Sequence, residues 1–259
     1  MLAVPMTDLV LSLFPGIGML DRAFEEEGFC VVRGPDLLWG GDVRNFHPPA
    51  GKFDGVIGGP PCQRHSLLNR MNVKRGKGNA PDLIPEFVRC IEEARPAWFM
   101  MENVPLAPDP HCPSYHVTCL LLNNRQCPAD RSDVGAEQNR KRRFWFGVQR
   151  EYVGQPVFLH IERPAHENPE WSATVTANGI SKPGTEHQRG KKERRLYGWA
   201  SWANLRKALV WQGFPPNMLD KSPFTLKGAF CVVGNGVPLP MGRAVARAVK
   251  AALREEACP

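Results

Sequence analysis

Short apolar runs broken by glycine, proline and polar residues dominate the first part of the chain. Leu9 to Phe14 is apolar except at Ser12, the pattern of a strand covered on both faces. It leads into Pro15-Gly16-Ile17-Gly18, after which Met19, Leu20, Ala23 and Phe24 recur at helical spacing. Strand, glycine turn and helix predict the opening unit of a doubly wound α/β fold. Gly28 to Val32 reads as a second strand and Phe53 to Ile57 as the end of a buried one, while Phe87 to Ala94 reads as a helix packing on the sheet. Pro96 to Met101, Val117 to Leu122 and Phe144 to Gly147 predict further strands. Near the other end, Leu205 to Trp211 resembles a short helix. Phe230 to Val233 reads as a strand, Gly234 to Pro238 as a turn, and Met241 to Leu253 as an amphipathic helix. No internal repeat interrupts this order.

Two stretches break the pattern. Gln63 to Asp82 lacks apolar periodicity and carries Arg64, Arg70, Lys74, Arg75 and Lys77 with Gly76 and Gly78. About twenty structureless residues inside a compact domain suit a loop that closes on a polyanion. From Gln149 to about Ala203, Pro, Gly, His, Lys and Arg dominate, with Trp171, Tyr197, Trp199 and Trp202 interspersed. Basic residues interleaved with aromatics suit nucleic-acid contact. The expected organisation is one domain over 1–148, a small irregular second region over 149–203, and a segment over 204–259 that completes the first domain.

Charge sharpens the choice of partner. The 259 residues carry a formal net charge of +7 and a pI near 9.1, which favours an anionic partner. Eight cysteines at irregular spacing are too sparse for a disulfide scaffold. With no N-terminal signal pattern, they point to a reducing cytoplasm. No apolar run approaches the roughly 20 residues of a membrane span. A zinc site at His111, Cys112, His116, Cys119 and Cys127 is declined, because no C-x-x-C pair is present and the spacing matches no common pattern.

The chemistry-bearing residues fall at predicted strand ends, where ligands sit in open α/β sheets. The turn Gly16-x-Gly18 lacks a third glycine and a P-loop lysine, so a nucleoside without phosphates fits better than a pyrophosphate. Asp36 lies about 20 residues past that turn, a spacing suited to ribose hydroxyls. Asp42, at the expected end of a third strand, suits an adenine amino group. Gly58-Gly59-Pro60-Pro61-Cys62-Gln63 presents one cysteine on a stiffened path after a strand. Glu102 ends another strand near it, where desolvation raises a carboxyl pKa. Gln138, Arg140 and Arg142 share one face if their segment is extended. Alone, the glycine turn, Asp36 and Asp42 are better explained as turns or helix caps, and the cysteine hexapeptide equally well as an inert turn. A capping or solvated carboxylate stays open at Glu102, and a solvated basic strand entry is the less attractive reading of Gln138 to Arg142.

Taken in order, these pieces resemble the cytosine-C5 DNA methyltransferase family. The matching motifs are Phe14-x-Gly16-x-Gly18, Asp36, Asp42, Pro61-Cys62-Gln63, Glu102-Asn103-Val104 and Gln138-x-Arg140-x-Arg142. Gln212-Gly213-Phe214-Pro215 and Gly234-Asn235-Gly236-Val237-Pro238 follow. The match runs from about Asp8 to Leu253 and misses chiefly 149–203, the family's variable recognition segment.

The resemblance implies a doubly wound, Rossmann-like S-adenosylmethionine-dependent fold and duplex DNA as substrate. It assigns Cys62 as nucleophile toward carbon 6 of a flipped-out cytosine. Glu102 would bond N3 and the exocyclic amine and Arg142 the O2 carbonyl, while Arg140 would support the pocket. Gln63 and Ser66 would touch the DNA backbone. Phe14, Gly16, Gly18, Asp36, Asp42, Pro60, Asn235 and Gly236 would form the cofactor site. Arg64-His65 and Glu137 depart from the family pattern.

A monomer without metal is expected, in a bacterial or phage-infected cytoplasm, with restriction-modification as one setting. The rival readings are an RNA cytosine-C5 methyltransferase, a DNA-binding protein on a dead methyltransferase scaffold, and a nicotinamide dehydrogenase. The last suffers from the missing third glycine.

Overall fold

The protein was analysed as a computed structural model that describes residues 8–61, 81–177, 179–181 and 201–257. Parallel strands buried on both faces read as largely apolar runs. β1 (Leu9–Leu13), β2 (Cys30–Arg33), β3 (Gly55–Gly58) and β4 (Trp98–Asn103) are parallel. β1, β3 and β4 are buried in this way, whereas β2 is a mostly exposed edge strand. β6 (Lys141–Gln149) runs antiparallel to β4, and β5 (Tyr115–Asn123) pairs antiparallel with β6. The sheet order is β2-β1-β3-β4-β6-β5, with a separate hairpin of β7 (Thr174–Thr176) and β8 (Gly179–Ser181).

Helices cover both faces. α1 (Met19–Glu26) and the long α5 (Leu239–Ala257) pack on one face, and α2 (Ile84–Ala94) on the other. Alternation along the strands divides the core. Val10, Ile57, Trp98 and Met100 meet Phe24, Val245 and Val249 on the first face. Leu11, Val56, Phe99 and Met101 meet Phe87 and Ile91 on the second. Burying each such side chain contributes about 1.5–3 kcal/mol, so strand order is specified mainly by these apolar faces. A third cluster joins Met19 and Ala23 of α1 to Val175 and to two C-terminal helices, α3 (Trp202–Trp211) and α4 (Leu226–Asn235).

Two expectations need correction. Phe230 to Val233 is part of helix α4, not a strand. Ala229, Phe230 and Val233 face the core at helical spacing, Thr225 caps the N-terminus by accepting from Gly228 N, and the run of valines hid this periodicity. Asp42 does not end a third strand. No strand lies between β2 and β3; Asp42 heads a one-turn 3-10 helix, Val43–Asn45, on the connection between them.

Candidate active site

The end of β1 turns sharply through three left-handed residues, Phe14 (φ 56°), Gly16 (φ 57°) and Gly18 (φ 78°). The two glycines take this conformation without strain, whereas Phe14 has a Cβ and does not. A Cβ built on Gly16 would meet nothing within 4 Å. The turn therefore leaves an open cradle at the carboxyl edge of the sheet.

Neighbouring elements lock that turn in place. Asp36 accepts from Gly16 N through one oxygen (2.8 Å) and from Leu38 N through the other (2.8 Å). Trp39 Nε1 donates to Gly16 O at 2.7 Å while its ring stays 59% exposed, 6.0 Å from the Phe224 ring. Behind the turn, buried Asp21 accepts from Ser12 Oγ (2.5 Å) and Arg33 Nε (2.9 Å). Burial pushes the Asp21 carboxyl up despite these partners. From the C-terminal side, Gly236 packs so closely on Met19 that a Cβ there would overlap its sulfur. Phe14, Gly16, Gly18, Asp36 and Gly236 thus meet in one place.

The other predicted cofactor residues are more varied. Asn235 is exposed, with its amide 3.6 Å from Cys231 Sγ. Asp42 is bound instead to Arg44, whose Nη2 stands 2.5 Å from Oδ2 and holds the carboxyl below its usual range. Arg89 of α2 fastens this turn by donating to Val43 O (2.8 Å) and Phe46 O (3.0 Å).

A second focus lies one strand over. Cys62, Gln63 and Ser66 fall outside the described residues, as do Arg64 and His65; the path toward them is described as far as Pro61. The β3–β4 register pairs Gly58 with Met101, which brings Gly59 beside Glu102. A Cβ on Gly59 would stand 3.0 Å from Glu102 Oε2. Buried Pro60 is tied down by Asn103 Nδ2, which donates to its carbonyl at 3.1 Å.

Glu102 is buried and ion-paired to Arg142, Nε to Oε1 2.7 Å. β6 supplies this partner because Phe144 lies opposite Glu102, so Arg142, two residues along, points to the same face. Burial pushes the Glu102 carboxyl up, and the opposing pull of Arg142 and Arg140 does not cancel it. A carboxyl so placed can hold its proton nearer neutral pH than an exposed one.

Gln138, Arg140 and Arg142 do share an inward face, with Gln138 and Arg140 fully buried. Only Arg142 reaches Glu102 directly. Arg140 gives its guanidinium to backbone carbonyls, donating to Val175 O (2.6 Å), Gly234 O (2.7 Å) and Gly236 O (2.9 Å). Two contributors escaped the sequence reading, Trp39 and the Ser12–Asp21–Arg33 group, and Asn103 was read as part of a motif without its bond to Pro60. A tryptophan between two acidic positions in a glycine-rich stretch was the available signal for the first. The others depend on contacts across strands.

A family model described as C-5 cytosine-specific DNA methylase matches residues 40–199. The chain belongs to this family. The matched span includes Glu102, Arg140 and Arg142 and begins after the glycine turn. Among curated proteins, this chain is 29% identical over 174 residues to the Type II methyltransferase M.FnuDI of Fusobacterium nucleatum, covering 55% of this chain and 47% of that protein. It is 30% identical over 173 residues to M.MthTI of Methanothermobacter thermautotrophicus, covering 54% and 48%. The chain spans about half the length of the curated relatives it matches. Among solved structures, the Entamoeba histolytica methyltransferase EhMeth aligns with a TM-score of 0.56 at 15% identity over 96% of this chain and 98% of that one. That likeness establishes a methyltransferase-type α/β fold.

Proposed function

We propose that this methylase chain transfers a methyl group from S-adenosylmethionine to carbon 5 of a cytosine flipped out of duplex DNA. The observation that carries the proposal is the buried Glu102–Arg142 pair, held against the strand end that leads into Cys62. Family membership supplies the substrate class, and the net charge of +7 suits the polyanion.

Carbon 5 of cytosine is too weak a nucleophile for a sulfonium methyl group. Addition of the Cys62 thiolate to carbon 6 makes carbon 5 enamine-like. A protonated Glu102 donates to N3 and accepts from the exocyclic amine, stabilising charge on the ring, while Arg142 binds the O2 carbonyl. Carbon 5 would then take the methyl group, with S-adenosylhomocysteine as the leaving group, after which loss of the carbon-5 proton to water and departure of the thiolate restore the aromatic ring. A stacked base cannot reach a site walled by Glu102 and Pro60, so the nucleotide must leave the duplex at a cost of a few kcal/mol.

The cradle fits the cofactor. Open space over Gly16, an anchored carboxylate at Asp36 and the exposed Trp39 indole suit a nucleoside, with the ring face available to adenine. When bound, S-adenosylmethionine supplies an electrophilic methyl group. Phe14, Gly18, Asn235 and Gly236 would border it, with Pro60 toward the substrate side. Asp42 would reach adenine only after yielding Arg44.

Residues 149–203 are proposed as the target-recognition region between catalytic segments 1–148 and 204–259, with Gln63 and Ser66 on the DNA backbone. The proposed setting is a restriction-modification context in a bacterial or phage-infected cytoplasm, with the chain acting as a monomer. Among the described residues, no helix is long and apolar enough to cross a membrane, and no group of three or more His, Cys, Asp or Glu could hold a metal.

Measuring radiolabelled methyl transfer to duplex DNA and to tRNA side by side tests the proposal. Label at cytosine in duplex DNA supports it. Label confined to tRNA, or none across a broad panel of sequences, overturns it.

A further inference from the structure

The arginine that the motif places between Gln138 and Arg142 is buried and acts on Glu102 through its charge, while it hydrogen-bonds to backbone carbonyls. Arg140 is 2% exposed and holds three carbonyls with two nitrogens, at Val175 in β7, Gly234 in the last turn of α4, and Gly236 just beyond. Gly234 and Asn235 close a helix whose final carbonyls lack intrahelical partners, a place where a cation is favoured.

A second observation, independent of the arginine, joins the same elements. A Cβ on Gly234 would overlap the backbone of Thr176 and Ala177, so the end of β7 lies directly on the end of α4. On its other side, residues 172–174 run along the motif itself. Gln138 sits opposite Ser172 in a parallel bridge, Ser172 N donates to Glu137 O (3.1 Å), and Thr174 Oγ1 donates to Asn139 O (2.5 Å). Gly236 in turn abuts Met19, the first residue after the glycine turn. A continuous path of contacts, backbone to backbone at Gly234 and backbone to side chain at Gly236 and Met19, therefore runs from the β7–β8 hairpin to the cofactor cradle, with one guanidinium at its centre.

We propose that Arg140 is a positioning residue that couples the β7–β8 hairpin to the cofactor turn, so that engagement of the recognition region and occupancy of the cradle strengthen each other. The identity of the two occupants rests on the function proposed above. A lysine has one compact charge in place of a planar fork and cannot reproduce bonds to three separated carbonyls. Coupling of this kind is reciprocal, so each ligand must tighten the other by the same factor.

Hydrogen exchange on the wild-type chain, with and without S-adenosylhomocysteine, is the direct test. Protection of peptides spanning 172–181 together with those spanning 230–238 supports the coupling. Protection of 230–238 alone overturns it and leaves the proposed function standing. No binding of S-adenosylhomocysteine overturns both.

The second arm uses Arg140→Lys. The Kd for S-adenosylhomocysteine should rise about tenfold and the enhancement of that affinity by duplex DNA should fall toward one. The cofactor KM should rise by a larger factor than kcat falls. An enhancement as large as in the wild type would overturn the assignment. If this buried substitution prevents folding, the wild-type exchange pattern decides alone.

Discussion

Replacing Glu102 with glutamine separates the carboxyl's chemistry from its packing. The side chain keeps its volume in β4 but loses the charge that faces Arg142 at 2.7 Å. Two opposing effects set the stability change. Burial raises the carboxyl pKa above the ordinary 4.5. A proton is therefore bound more tightly in the folded state than in the unfolded one. The associated stability is fully present below the unfolded pKa and is lost as pH rises through the folded value. Glutamine carries no such loss.

Against this, Arg142 is left without its partner. Breaking a fully buried pair costs about 3–5 kcal/mol. The Arg142 side chain keeps 13% exposure and can turn toward water, so the net change should stay within about 2 kcal/mol, or a Tm shift below about 8 °C. The catalytic loss should be far larger. Removing one group that stabilises developing charge costs about 10²–10³-fold in kcat. Single-turnover methyl transfer, run beside thermal unfolding, measures both. The wild-type rate should also show a limb that falls as pH rises through the raised Glu102 pKa, and the variant should lack it. A rate loss under about tenfold, or unfolding that accounts for the loss, would refute the reasoning.

Three further outcomes follow from the cradle. Trp39→Ala should weaken S-adenosylhomocysteine binding about tenfold and Trp39→Phe much less, as read by titration calorimetry. Gly18→Ala places a Cβ at φ 78° and 2.6 Å from Arg33 Nη2; it should destabilise the fold by about 1–2 kcal/mol, a Tm drop of about 2–8 °C by calorimetry. Arg89→Met removes the bonds to Val43 O and Phe46 O and should raise the cofactor KM about three- to tenfold, with a smaller change in kcat in steady-state assays.

Much of the sheet is legible in the chain because its four central strands are covered on both faces and read as mainly apolar runs, interrupted only at Ser12 and Asp54 in the stretches concerned. β1, β3, β4 and β6 fall where Leu9 to Phe14, Phe53 to Ile57, Pro96 to Met101 and Phe144 to Gly147 predict them. The register that brings Gly59 to Glu102 is implicit once those strands are parallel and adjacent. α4 was illegible because Phe230 to Val233 combines β-favouring residues with flanking glycines, and its helical face emerges only against Val175 and Met19. The partners of Arg140 at Gly234 and Gly236 lie 94 and 96 residues away, and no local pattern reports them. Asp42 illustrates the opposite limit: its spacing suits a ligand, yet a neighbouring arginine two residues along claims the carboxylate.

Cys62, which follows in sequence on the stretch tied down at Pro60 by Asn103, is the proposed nucleophile toward carbon 6 of a flipped cytosine. The most direct measurement incubates the chain with S-adenosylmethionine and duplexes carrying 5-fluorocytosine across a range of sequences. Fluorine at carbon 5 blocks the final proton loss. A denaturant-resistant protein–DNA species is expected, linked at Cys62 and absent from Cys62→Ser, with the mass of chain, duplex strand and one methyl group less the thiol hydrogen. Intact chain and unmodified DNA across the whole range, or a link at another residue, would contradict it.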